Sequence, residues 1–127
     1  MDIEITKADF LNHSGTNLDK VIRGSDTENA VLIIIATAKR RVEDAINMTS
    51  VQTYDETLYS DSQKTGIKNA VLDYLEYMIE TGDLYATGGY NVDGTQMPAF
   101  PFYIISNLRA IGVVTSSFGR RHNVNLF

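Results

Sequence analysis

Two stretches of this chain repeat their apolar residues at the spacing of an α-helix, and together they limit what it can fold into. The first, residues 28–47, reads ENAVLIIIATAKRRVEDAIN, and the second, residues 62–81, reads SQKTGIKNAVLDYLEYMIET. In the first, Val31, Ile34 or Ile35, Ala38, Val42 and Ala45 or Ile46 fall on one stripe, because side chains three and four apart share a helix face. In the second, Ile67, Ala70, Val71, Tyr74, Leu75, Met78 and Ile79 do the same, and Asp73, Glu76 and Glu80 mark a polar face. Two such helices joined by a polar connector, residues 48–59, cover each other's stripes as an antiparallel hairpin. The β-branched run Ile33-Ile34-Ile35 has strand propensity. The polar-periodic continuation Lys39-Arg40-Arg41-Val42-Glu43-Asp44 decides for helix.

Local chemistry sets the ends. Asp26 or Thr27 is placed to cap the first long helix, and Glu28 sits in its first turn, where the helix dipole favours an anion. Ser60, Asp61 or Ser62 caps the second, and Gly82 is placed to end it in the left-handed conformation. Pro101 suits the first position of a third, short helix with Phe102, Ile105 and Leu108 or Arg109 on one side, Ile104 and Ile111 near them, and Gly112 as its end. In the N-terminal segment, residues 1–26, Thr6-Lys7-Ala8-Asp9 has capping-box spacing with Asp in place of the usual Glu or Gln, enough for a helical turn through Phe10 and Leu11. His13-Ser14-Gly15 breaks that turn, and Leu18, Val21 and Ile22 make a second, weak apolar cluster.

The expected fold is therefore mainly all-α: an antiparallel helical hairpin plus a third short helix, in one domain of 127 residues. Residues 27–112 form the helical core, residues 83–100 a long Gly-rich loop with Tyr85, Tyr90, Met97 and Phe100, and residues 113–127 an extended C-terminal arm. The arm lacks helical period yet carries Val113, Val114, Phe118, Val124, Leu126 and Phe127. Such a density of apolar groups points to docking on a neighbour rather than to a solvated tail.

Charge and composition exclude several functions. Residues 1–100 hold eight basic and sixteen acidic groups, a balance of −8, while Arg109, Arg120 and Arg121 give residues 101–127 a balance of +3. The net −5 speaks against a generic DNA-binding surface, and an acidic body with a basic tail favours contact between copies or with an acidic partner. The absence of cysteine removes disulfides, thiolate nucleophiles and Cys-based zinc sites. Met1 is followed by Asp2 and Glu4 instead of a basic leader, and the longest apolar run, residues 30–36, is far short of the roughly 20 residues that span a bilayer. Neither a secretory leader nor a membrane span is expected. Without secretion, the glycosylation patterns at Asn12 and Asn47 are accidental matches.

No constellation points to catalysis or a cofactor. Gly88-Gly89 lacks the strand and GK[ST] context of a phosphate loop, and Lys64-Thr65-Gly66 stands without the companion motifs of a serine hydrolase. Glu43-Asp44 and Asp55-Glu56 are adjacent pairs that diverge in a helix, whereas acid–base chemistry needs carboxyls that converge. His13 and His122 lie near opposite ends of the chain without an i,i+4 partner, and both are expected at the surface. Lys39-Arg40-Arg41 is blunted by the acids that follow it. Leu32 and Ile33 lie off the buried stripe, so the first helix starts apolar nearly all round. The expected interface residues are Leu32, Ile33, Tyr90, Phe118, Arg120, Arg121 and Phe127.

The order of parts resembles the small head–tail connector proteins of tailed bacteriophages, also called head-completion or adaptor proteins. The resemblance runs over residues 26–112 and is carried by Ala38-x-x-x-Val42-Glu43 in the first helix, Gly82-Asp83 after the second and Leu108-Arg109 at the end of the third. It implies a structural virion protein made in the host cytoplasm and placed at the head–tail junction. Such a subunit joins copies of itself in a ring of about twelve, a dodecamer with heterologous contacts. The ring sits below the portal protein, offers a platform to a tail-side completion or stopper protein, and lets DNA pass without specific binding. The alternative drawn from the residues alone is a small helical regulator that binds DNA or a protein through the third helix. That helix offers only Asn107 and Arg109 to a base edge.

Overall fold

The computed structural model describes residues 1–22, 27–82 and 100–115, and among these it is all-α. The helices are α1 (Lys7–Ser14), α2 (Leu18–Val21), α3 (Thr27–Thr49), α4 (Asp61–Thr81) and α5 (Phe102–Ala110), with a 3-10 turn at Glu56–Leu58 between α3 and α4. Arg41 of α3 meets Tyr74 of α4, while Ser50 and Gln63, at the near ends of the two helices, both bond to residues 111–115. The pair therefore runs antiparallel, as its two stripes require.

The buried face of α3 is Val31, Ile34, Ile35, Ala38, Val42, Ala45 and Ile46, the stripe expected from spacing. In α4 the buried set is Ile67, Ala70, Val71, Leu72, Tyr74, Leu75 and Met78, with Ile79 partly buried. Leu72 lies off the predicted stripe. It is covered because α4 is the central element, packed by α3, α5 and α1, so its apolar arc is wider than that of a helix with one neighbour.

Capping chemistry fixes the ends. Ser60 accepts from the Gln63 backbone N–H while the Gln63 side chain accepts from the Ser60 N–H, a complete capping box, and Gly82 closes α4 at φ 77°. Thr6 and Asp9 form the same reciprocal box on α1, and Gly15 ends it at φ 80°. Asp does here what Glu usually does, and a cap of this kind contributes about 1 kcal/mol.

Three expectations are corrected. The N-terminal segment is part of the core: Phe10 and Leu18 are completely buried, and α1 packs on α4. The C-terminal arm does not begin at residue 113. Val113 and Val114 are buried, the Val113 N–H donates to the Leu108 carbonyl, and Thr115 exchanges hydrogen bonds with Ser50 and Val51. Gly112, at φ 81°, turns the chain back so that this β-branched pair reaches the core. Phe102 points outward at 71% exposure, while Ile104, Ile105 and Leu108 face inward. At 100° per residue, Phe102 lies roughly 110° from the centre of that buried arc.

Candidate interaction surfaces

Most of the large exposed apolar side chains fall at the two ends of the hairpin, while Leu11, 45% exposed, stands on α1, which lies along the middle of α4 beside Lys68 and Asp73. At one end, Leu32 and Ile33 on the first turns of α3 are 64% and 45% exposed. Beside Leu32, a groove of about 420 Å³ runs between residues 4–7 and α3, floored by Ile5, Val31 and Ile35 and rimmed by Glu28 and Lys39. Phe102 and Tyr103 lie at the same end, because Tyr103 stands within electrostatic reach of Asp73, Glu76 and Glu80 on the C-terminal half of α4. At the other end, Met48, Val51 and Leu58 are all more than half exposed. From Leu32 to Met48 the helix rises about 24 Å, so the two apolar regions are separate.

Leu32 and Ile33 thus stand on the outer surface. Tyr90, Phe118, Arg120, Arg121 and Phe127 lie outside the described residues, as do Asp26, the Gly88-Gly89 turn and His122. Of the four apolar side chains noted in the long loop, Phe100 is described. Its ring stacks on Tyr74 with centroids 4.9 Å apart and planes 9° from parallel. Tyr74 also draws Arg41 out of the basic cluster: the Arg41 Nε donates to the Tyr74 hydroxyl at 3.2 Å.

Three of the four adjacent carboxylates, Glu43, Asp55 and Glu56, hold backbone in place. Glu43 Oε1 accepts from the Met1 ammonium at 2.7 Å, while Asp44 is exposed. Asp55 caps the 3-10 turn by accepting from the Thr57 N–H. Glu56 Oε1 accepts from the Asp2 N–H, the Ile3 N–H and the Tyr54 hydroxyl, which ties the N-terminal residues to the connector. Burial alone would raise the Glu56 carboxyl, but these three donors outweigh it and hold it below its ordinary value of 4.5. Burial, with Glu56 adding to it, pushes the Tyr54 hydroxyl well above the usual tyrosine range. Asp9 is held below its ordinary 3.8, chiefly by the Thr6 N–H and also by Lys68, and Asp55 is lowered by its bonds to Thr57.

These shifts fix a sign for acid. A carboxyl whose folded pKa lies below its unfolded value stabilises the fold above the unfolded value, and that contribution is lost as pH falls through the folded one. The melting temperature is expected to be level between about pH 5 and 7 and to fall as pH drops below about 4.5. Glu56→Gln should melt lower at neutral pH and lose less on acidification. Parallel thermal melts of the two proteins between pH 7 and 3 check this.

One constellation escaped the sequence reading. His13, at the end of α1, places its Nε2 2.7 Å from Asp73 Oδ1 and 3.8 Å from Glu76 Oε1, both on α4. The i,i+3 spacing of the two carboxylates was visible in the polar face of α4. That a histidine 60 positions away would meet them depended on how α1 docks.

Among the described residues, no helix is long and apolar enough to cross a membrane. No family model, no curated protein and no solved structure matches this chain.

Proposed function

We propose that this chain is a structural subunit of a head–tail connector. It assembles as a ring below the portal of a tailed bacteriophage virion, joins the capsid to a tail-side completion protein and extends the channel through which DNA passes. The observation that carries the reading is the pair of separate apolar regions, Leu32 and Ile33 with Phe102 at one end of the hairpin and Met48, Val51 and Leu58 at the other. A ring is a heterologous assembly, in which each subunit presents two different faces to its neighbours. The acidic balance of residues 1–100 suits a channel that passes DNA without gripping it, because cationic side chains are what hold phosphates. The regulator reading has less support. On α5 the exposed positions 102, 103, 106, 107, 109 and 110 include a single cation, Arg109, and its apolar members suit a protein contact better than a DNA groove.

In this reading the basic, apolar segment 116–127 is the arm that reaches a neighbouring subunit or the portal, through Phe118, Arg120, Arg121 and Phe127. Val113 and Val114 stay with their own core. Deleting residues 116–127 is therefore expected to leave the melting temperature within a few degrees of the full chain, while assembly on a portal ring is lost. Unchanged assembly would show that the segment is a passive end.

A further inference from the structure

We propose that His13, Asp73 and Glu76 bind a divalent transition-metal ion that clips α1 to α4. The donor atoms, one imidazole nitrogen and two carboxylate oxygens, all lie within 4.8 Å of one another. They come from two helices that approach only in the folded chain, so the set is assembled by tertiary structure rather than by a run of acidic sequence. Among the described ion pairs, no lysine or arginine pairs with Asp73 or Glu76, and Lys68 is engaged by Asp9. Two carboxylates and a neutral imidazole leave a net negative site. Burial, followed by the charges of Asp73, Glu76 and Glu80, raises the Tyr103 hydroxyl, which marks the same negative field from the side of α5.

The geometry needs little change. Metal–nitrogen and metal–oxygen bonds of about 2.1 Å at tetrahedral angles place ligand atoms about 3.4 Å apart. His13 Nε2 and Glu76 Oε1 are already at 3.8 Å, and the 2.7 Å contact to Asp73 opens by a small side-chain rotation. All three side chains are partly exposed, so nothing encloses them and water completes the coordination. One imidazole among oxygens selects zinc, cobalt or nickel over magnesium and calcium, which prefer all-oxygen sites. Binding would fasten the N-terminal helix to the hairpin and raise stability by mass action.

The test is calorimetric titration of the full chain with zinc chloride in a non-chelating buffer at pH 7.5, with magnesium chloride as the comparison. Expected are one zinc ion per chain, a melting temperature raised by about 5 °C or more at saturating zinc, and far weaker magnesium binding. His13→Gln, Asp73→Asn and Glu76→Gln should each weaken zinc at least about tenfold, since loss of a ligand costs no less than loss of a group supporting one. Their circular dichroism should match that of the parent chain. His122→Gln should leave zinc affinity unchanged. Absence of stoichiometric binding, binding indifferent to His13→Gln, loss of binding in His122→Gln, or magnesium binding as tight as zinc would each overturn the assignment. If one variant fails to fold, the zinc-induced shift of the His13 imidazole nitrogen resonances in the parent chain decides the matter, with no shift counting against the site.

Discussion

Phe10→Ala is expected to remove a large part of the stability of the whole chain. The ring is fully buried and contributes to the same core as Val42, Ile67 and Leu75. Truncating a buried phenylalanine costs about 3–5 kcal/mol, from lost burial and from the cavity left behind. A domain of this size has only about 5–15 kcal/mol to lose. The site cannot collapse easily, because α1 is held on α4 by Asp9–Lys68 and His13–Asp73 and at its start by the Thr6 box. Urea unfolding should show a lower midpoint, and thermal melts a drop of roughly 10–25 °C. A cost below about 1 kcal/mol would mean that residues 1–22 are an appendage on the hairpin.

The double substitution Leu32→Glu with Ile33→Glu should do the opposite: leave the subunit intact and weaken its association. Both side chains are exposed in the single chain, Leu32 at 64% and Ile33 at 45%, so their replacement should change monomer stability by about 0.5 kcal/mol or less apiece. If they are covered in the ring, each loses about 1.5 kcal/mol or more of burial. Together that is about two orders of magnitude in subunit affinity, before the cost of placing two carboxylates in the contact. Sedimentation velocity across a concentration series, beside circular dichroism of the same samples, separates the effects. Equal association of the variant and the parent would remove this end of α3 from the interface.

How far the sequence foretold the structure follows from how far each element depends on its neighbours. The buried faces of α3 and α4 were legible because long amphipathic helices write their environment into their spacing. The boundaries were legible where capping residues stood out, at Gly82 and Gly112, while at the start of α4 the sequence left Ser60, Asp61 and Ser62 open and the box with Gln63 selects Ser60. Phe10 was placed on a helical turn but not in the core. Two turns of helix carry too little periodicity to reveal a buried face, and α1 draws its stability from α4 rather than from itself. Val113 and Val114 were read as part of an arm because no pattern within residues 113–127 says where they point. Their burial is set by the left-handed turn at Gly112 and by the contacts of Thr115 with α3's end. Phe102 was misplaced by a fraction of a turn, enough on a nine-residue helix to exchange inside for outside. The meeting of His13 with Asp73 and Glu76 is tertiary in the same sense: each half was visible, the encounter was not.

Two different apolar ends, as proposed above, would make this subunit close on copies of itself. Electron microscopy of the purified chain at high concentration, alone and mixed with a portal ring, tests this most directly. Closed rings with a central channel, free or seated on the portal, are the expected result. Single subunits or two-fold dimers under both conditions would contradict it.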